Sequence, residues 1–283
     1  KGTGVDLDAE GENTLGLHGL AVLSRWPITA ARAVTLPSCH DYFDFHEKRF
    51  GGRRGLYTLI TAGDRRIVAA TTHLEVRRTP RCRARQFAAF LHGLDESLGA
   101  WARDGLLDGS ASRDLRNEES KAGAGNAAAC IPAGPPVGVI LGGDWNTNTF
   151  RRGTLTRSVV EFLRLVATPA ETLVGQLVAP FSREPLFALL AAKGFAVAPC
   201  NETVATVAQD LGLVEDLEAL PASLARGVAH AFGLSGRVLR MRLDWIAVRG
   251  LQARGRPVTL PATGPDGRAL SDHAAIGVDL DGL

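Results

Sequence analysis

The sequence predicts an α/β domain in which β-sheets pack together and helices cover them. Short apolar runs bounded by Gly, Pro and polar residues recur along the chain, as they do in strands. One long segment after Pro80 instead repeats its apolar residues at helical spacing. The 283 residues are 45% hydrophobic and 22% charged, which is enough for a buried core in one large domain or two small ones.

The elements of the first half follow from local patterns. Residues 19–28 (GLAVLSRWPI) form a short apolar run ended by Pro27, which fits a strand that leaves a sheet. Residues 53–61 and 66–76 are β-rich runs separated by Ala-Gly-Asp-Arg, which predicts a hairpin. The apolar face of the helix that follows consists of Phe87, Phe90, Leu91, Leu94, Leu98 and Trp101.

The second half begins after a long segment without periodicity. Residues 103–136 are rich in Gly, Ala, Ser, Asn and charge, which predicts a flexible surface insertion. Residues 137–141 (VGVIL) are a continuous apolar run, typical of a strand buried on both faces. A short helix over 185–193 is expected to end at Gly194. Two more strands are predicted, over residues 242–248 and 274–280.

Composition and charge do not select one class of function or one compartment. The 32 Lys and Arg against 30 Asp and Glu give a net charge of +2, which is no electrostatic footprint of a nucleic-acid coat or an anionic membrane. The four cysteines form neither a CxxC motif nor a zinc-like cluster with His. No run of about 18 apolar residues exists, so no transmembrane segment is expected. The compartment stays open between the cytoplasm and export.

Polar residues lie at or near strand ends in four separate places, and they carry the functional prediction. They are His73, the pair Asp144 and Asn146, Asp244, and the pair Asp272 and His273. Strands that lie side by side present such residues to one crevice, so three carboxylates, an amide and two imidazoles can converge. Carboxylate oxygens hold a hard cation such as Mg²⁺, and a His paired with an Asp can move a proton near neutral pH.

Each of these motifs also has an ordinary structural interpretation. An Asp after a strand is usually a turn residue, and Gly-Asp and Asn favour turns. A single His in a strand is more often structural, and Ser-Asp-His can be a simple cap. The joint occurrence of the motifs in one order is what favours the functional interpretation.

The motifs resemble those of the endonuclease/exonuclease/phosphatase superfamily, whose members include DNase I-like nucleases, abasic-site endonucleases, inositol phosphatases and bacterial sphingomyelinases. The matching segments, in the family's order, are GLAVLSRWPI (19–28), TTHLEV (71–76), RCRARQ (81–86), GGDWN (142–146), RLDWI (242–246) and SDH (271–273). The resemblance implies a four-layer sandwich of two mixed β-sheets flanked by helices. It also implies a single domain over 1–283 that contains the insertion at about 103–136.

The resemblance implies a role for each catalytic candidate. His73 would face the scissile phosphate as a donor or as the acid for the leaving group. Asp144 and Asn146 would orient the nucleophilic water and the phosphate. Asp244 would hydrogen-bond His273, which would then contact the phosphate or assist as a base.

The resemblance also implies a divalent cation, Mg²⁺ with Mn²⁺ as the alternative. Its ligands in this chain would be Asp272, Asp144 and Asn146, while Arg85 and Gln86 would brace the site. The family pattern further includes an Asn strand and a strand with a metal-binding Glu before the segment that matches residues 19–28. Only 18 residues precede that segment here, so we expect this chain to lack both N-terminal strands.

The sequence therefore predicts a metal-dependent phosphoester hydrolase that uses an Asp-His pair, a GDxN motif and a divalent cation. The alternative is a catalytically inactive fragment or scaffold that retains the fold. The substrate stays open among DNA, a small phosphodiester and a phospholipid head group, and no stable protein partner is expected.

Overall fold

The computed structural model describes residues 4–6, 17–38, 49–50, 52–76, 79–107, 137–149, 160–161, 163–164, 167–210 and 238–281. Its strands are β1 (Gly4–Asp6), β2 (Leu17–His18), β3 (Ile28–Thr35), β4 (Arg49–Phe50), β5 (Arg54–Ala62), β6 (Arg65–Thr72), β7 (Gly138–Asp144), β8 (Val207–Asp210), β9 (Val238–Met241), β10 (Asp244–Arg249), β11 (Gln252–Leu260) and β12 (Ala275–Asp281). Its main helices are α1 (Pro80–Arg103), α2 (Ala170–Val178) and α3 (Leu186–Ala192).

A five-stranded mixed sheet in the order β10-β7-β6-β5-β3 forms the centre of the fold. The β6–β7 pair is parallel and the other three pairs are antiparallel. Thr71 pairs with Gly142, and Asp144 pairs with Asp244. Because of this register, the start of β5, the ends of β6 and β7 and the start of β10 all lie at one edge of the sheet.

Aromatic residues pack one face of this sheet against α1 and α3. The hydroxyl of Tyr57 donates to the carbonyl of Phe90 at 2.8 Å, and their rings stack 5.2 Å apart. Trp145 and Trp245 are buried on the same side, and the ring of Trp245 lies 4.9 Å from that of Phe187. Successive side chains of a strand alternate between faces, so the aspartate before each tryptophan points away from this core.

The remaining strands form smaller ladders. β8 pairs with β9, β11 pairs with β12, and β1 lies between β2 and β4. An isolated bridge between Val207 and His273 connects β8 to the segment before β12. The five-stranded mixed sheet and the helices confirm the predicted α/β class. The other described strands form separate short antiparallel ladders.

Most predicted elements of the central sheet are confirmed, but the strand over residues 19–28 is wrong. The strand begins at Ile28 and runs to Thr35. Leu23 is 90% exposed, and residues 19–27 form no ladder with the described part of the chain. Ladder bonding starts instead where the amide of Thr61 donates to the carbonyl of Pro27 at 3.0 Å.

Other boundaries shift by a few residues. Strand β6 ends at Thr72 rather than at Val76, and β7 continues through both glycines to Asp144. Helix α3 is followed by Gly194 at φ +74°, as the predicted C-cap requires. Most of the predicted insertion, residues 108–136, lies outside the described residues.

The two described cysteines differ in state. Cys82, in the first turn of α1, is disulfide-bonded, and Cys200 is a free, buried cysteine.

No helix in the described part of the chain combines the length and apolar character needed to cross a bilayer.

Candidate active site

Two imidazole–carboxylate pairs lie at the edge of the central sheet where the four strands end. Nε2 of His73 is 3.3 Å from Oδ2 of Asp144. Nδ1 of His273 is 2.7 Å from Oδ2 of Asp244. Asp144 and Asp244 are direct partners in the β7–β10 ladder, so the two pairs are neighbours. Four residues from distant parts of the sequence therefore meet as the motifs predicted.

Backbone bonds hold the first pair in place. The amide of Leu74, which follows His73, donates to the carbonyl of Asp144 at 3.0 Å. The side-chain amide of Asn146 donates back to the carbonyl of Leu74 at 2.8 Å. The backbone amide of Asn146 donates to Oδ1 of Asp144 at 2.9 Å, which is an Asx turn. These bonds fix the ends of β6 and β7 against each other.

Gly143 allows β7 to approach β6 this closely. Its φ is +138°, a conformation that is open essentially to glycine alone. A Cβ at this position would lie 2.1 Å from the carbonyl oxygen of Thr72. The glycine before the aspartate thus has a steric role that places Asp144 beside His73.

Asn146 has a structural task in addition to any catalytic one. Its φ is +50°, in the left-handed region that Asn tolerates better than most residues. It is 2% exposed, and its amide nitrogen is engaged by Leu74. The structure therefore places Asn146 at the site as an anchor of the loop after β7.

The second pair joins two separate elements. Asp244 is the first residue of β10, and His273 lies just before β12, bridged to Val207. The backbone amide of His273 donates to Oγ of Ser271 at 3.1 Å. Asp272 is exposed beside them, and its negative charge acts on His273. The Ser-Asp-His motif therefore brings His273 to Asp244 and leaves Asp272 exposed to solvent.

The surroundings of Asp144 and His273 raise the pKa values of both side chains. Burial, followed by the negative charge of Asp244, raises the pKa of Asp144 to about 6. The hydrogen bond that the His273 ring donates to Asp244 raises the pKa of His273 to about 9, against the opposing effect of burial. At pH 7 the site therefore combines an ionised carboxylate of raised basicity with an imidazolium.

The predicted metal ligands do not complete a cation site by themselves. Within the described ranges, no group of three or more His, Cys, Asp or Glu side chains is arranged to hold a metal ion. Asp144 is a half-buried carboxylate, Asp272 is an exposed one, and Asn146 is already engaged through its nitrogen.

Arg85 and Gln86 occupy the bracing positions that the resemblance implied. Oε1 of Gln86 accepts the backbone amide of Glu75, and its Nε2 donates to the carbonyl of Pro37, both at 3.0 Å. Nη2 of Arg85 donates to the carbonyl of Ser38 at 3.1 Å. Gln86 therefore ties α1 to the segment directly after His73.

Sequence reasoning missed a buried arginine near the site. Arg53 is 6% exposed, and its Nη2 lies 3.9 Å from Oε2 of Glu75. Its positive charge lowers the pKa of Asp144, although less than burial raises it. In the sequence, only the position of Arg53 directly before β5 could have indicated that it lies near the site. An Arg beside a predicted strand is otherwise an ordinary surface residue.

No family model matches the chain, and no curated protein shows significant similarity to it. Similar solved structures include a functionally unknown conserved protein from Enterococcus faecalis V583, at 14% identity, TM-score 0.46, and coverage of 91% of this chain and 67% of that one. An endonuclease/exonuclease/phosphatase from Beutenbergia cavernae is 15% identical, with a TM-score of 0.44 and coverage of 98% and 51%. TDP2 from D. rerio, complexed with single strand DNA product, is 13% identical, with a TM-score of 0.39 and coverage of 90% and 68%.

The chain thus spans about half to two thirds of the length of these structures. Their low identity restricts the likeness to the fold. At TM-scores of 0.39 to 0.46 the similarity does not assign the chain to a superfamily.

Proposed function

We propose that the chain is a phosphoester hydrolase whose reacting groups are the two imidazole–carboxylate pairs at the sheet edge. The observation that carries this proposal is the direct pairing of Asp144 with Asp244, each with its own imidazole. Two adjacent carboxylates are costly to bury, so their retention beside two histidines favours a chemical role over a turn.

Asp144 is the group proposed to orient the attacking water and accept its proton. With a pKa of about 6 the carboxylate is ionised at pH 7 and is more basic than an exposed aspartate. A base is most effective when its pKa lies near the working pH. The Asx turn with Asn146 fixes the carboxylate in one orientation.

His273 is proposed to bind the phosphate as a cation. With a pKa of about 9 its ring is protonated at neutral pH, and Nδ1–H donates to Asp244. The Nε2–H remains as a donor for a phosphate oxygen, where negative charge accumulates during the reaction. Of the two roles left open by the motifs, contact with the phosphate is therefore favoured over that of a base.

His73 is proposed to stabilise or protonate the leaving oxygen. Its Nε2 lies 3.3 Å from Asp144, so both groups border the position where a phosphate would lie.

Mg²⁺, or Mn²⁺, remains a proposed cofactor, with Asp144, Asn146 and Asp272 as its proposed ligands. The described donors do not complete a site, since Asn146 is engaged through its amide nitrogen and Asp272 is exposed. A complete site needs further oxygen ligands.

An inactive scaffold is the second candidate, and the incomplete set of metal ligands is the observation that favours it. Such a protein would keep the fold and the paired carboxylates without turnover. The two candidates differ in one measurable property, which is hydrolysis.

The test is a screen of the full-length protein against plasmid DNA, bis-p-nitrophenyl phosphate, sphingomyelin and inositol phosphates, with Mg²⁺, Mn²⁺ or EDTA. The proposal predicts hydrolysis of at least one substrate and its loss in Asp144→Asn. Asp64→Asn, at the exposed hairpin turn far from the site, is the matched control and should keep full activity. Absence of hydrolysis in every assay would favour the scaffold.

A further inference from the structure

Thr206 lies where the two halves of the Asp244–His273 pair meet. It is 3% exposed and immediately precedes β8. Its backbone amide donates to the carbonyl of Met241 at 2.9 Å, and its carbonyl accepts the amide of Ala274 at 2.8 Å. One residue therefore bonds to the chain just before Asp244 and to the chain just after His273.

The Thr206 hydroxyl adds a contact that its backbone does not supply. Its Oγ1 accepts the backbone amide of Leu243 at 3.1 Å and that of Asp244 at 3.3 Å. Both amides are thereby satisfied at the point where the chain enters β10. Because Oγ1 accepts the backbone amide of Asp244 itself, the position of the Thr206 hydroxyl fixes the position of the Asp244 backbone.

This arrangement matters because Asp244 and His273 belong to different ladders. Asp244 is in the central sheet, whereas His273 precedes β12 and bridges to Val207, the residue after Thr206. Nothing in either ladder alone fixes the 2.7 Å separation between the carboxylate and the imidazole. The described bonds that join the two ladders near this pair run through Thr206 and its neighbour.

We infer that Thr206 is a positioning residue, whose hydroxyl aligns Asp244 with His273 so that the imidazole is correctly oriented toward the substrate phosphate. The inference rests on the proposed function for its catalytic consequence, while the alignment itself is a structural claim. A misplacement of a catalytic group by about 1 Å is enough to lower a rate by roughly 100-fold.

The experiment compares Thr206→Ser with Thr206→Ala in the full chain, because the two variants lose the same methyl group and differ only in the hydroxyl. Thr58→Ser and Thr58→Ala are the matched controls. Thr58 is as buried as Thr206, and its Oγ1 donates to the carbonyl of Ala69 at 2.9 Å within the central sheet, away from the site. Thr206→Val, which keeps the shape of threonine, serves if the alanine variant does not fold.

Two measurements are made on each folded variant. The first is the downfield proton resonance of the His273 Nδ1–H, assigned by its absence in His273→Gln. The second is the separation of kcat from KM on the best substrate of the screen. We expect Thr206→Ala to lose or shift the resonance and to lower kcat by roughly 10- to 100-fold with little change in KM. Thr206→Ser and both Thr58 variants should retain the resonance and kcat.

The outcomes separate the inference from the proposed function. An unchanged resonance in Thr206→Ala or Thr206→Val overturns the inference, whether or not the protein hydrolyses anything. A changed resonance in a protein without hydrolysis supports the alignment and refutes the proposed function. Unfolding of both Thr206 variants while the Thr58 variants fold would show a role in stability rather than in positioning, and would also overturn the inference.

Discussion

Asp144 and His273 differ from ordinary surface residues because their surroundings disfavour the charged form of Asp144 and favour the charged form of His273. Asp144 loses solvent and faces the charge of Asp244, so its proton is held more tightly. His273 gains a carboxylate partner, so its charge is held more tightly. The first effect brings the pKa of Asp144 closer to neutral pH, where a base is most effective, and the second keeps His273 protonated there.

The His273 pair predicts how stability depends on pH. The pKa of His273 rises from 6.5 to about 9 on folding, so its stabilisation is fully present below pH 6.5 and is lost as the pH rises through 9. The expected loss in free energy of unfolding is on the order of 2–3 kcal/mol. Asp144 does not interfere, because its own shift acts between pH 3.8 and about 6.

The measurement is urea denaturation of the protein and of His273→Gln between pH 6 and pH 10, in EDTA. The glutamine variant should show a flatter pH dependence across this window. Parallel curves for the two proteins would contradict the assigned ion pair.

Gly143 predicts a large effect from a single methyl group. Gly143→Ala should lower the free energy of unfolding by at least about 2 kcal/mol, because alanine disfavours this φ and its Cβ meets a carbonyl oxygen. Gly63→Ala is the control, since its φ of +65° is also left-handed but nothing lies within 4 Å. The control should lose only about 1 kcal/mol. Equal losses in thermal or urea denaturation would refute the close approach of β7 to β6.

At the scale of elements, a buried ion pair fixes α1 against the loop that follows the GDWN turn. The Glu184 carboxylate accepts Nε of Arg83 at 3.2 Å and also bonds its Nη2. The same carboxylate accepts the backbone amide of Thr149 at 2.8 Å. Three segments of the chain therefore depend on one side chain that has no exposed surface.

This ion pair predicts that Glu184→Gln lowers the free energy of unfolding by about 3–5 kcal/mol, because it leaves the Arg83 charge buried without its partner. Glu96→Gln breaks the exposed pair with Arg32 and should cost less than about 1 kcal/mol. Chemical denaturation of both variants compares them directly. A small loss for Glu184→Gln would show that the pair does not join these segments.

Local patterns predicted the elements of the central sheet because their signals are short in range. The β5–β6 hairpin follows from its turn, and α1 from the spacing of Phe87, Phe90, Leu94 and Trp101, all of which are buried. Residues 19–28 misled the prediction, because an apolar run does not say whether a partner is present to bury it. The contacts of Thr206 could not be predicted, since its partners lie more than 30 residues away and share no motif with it.

At the scale of the molecule, the site depends on two conditions. The first is that β5, β6, β7 and β10 each have one end at the same edge of the central sheet, and the second is that the bridge to Val207 holds the segment with His273 beside that edge. The sequence order of the motifs indicated the first condition, because each polar residue followed or began an apolar run. It could not indicate the faces on which the side chains lie, or that Asn146 uses its amide nitrogen to hold Leu74. Those details depend on the register between strands far apart in sequence.

The most direct test of the central claim is the rate of bis-p-nitrophenyl phosphate hydrolysis by the full-length protein with Mg²⁺, compared with Asp144→Asn and His273→Gln. Each substitution is nearly isosteric, and circular dichroism confirms that the fold is kept. We expect each variant to lose at least roughly 100-fold in kcat, as removal of a positioned acid–base or charge-stabilising group does. Hydrolysis at the unchanged rate in either folded variant would contradict the claim that these paired side chains carry the reaction.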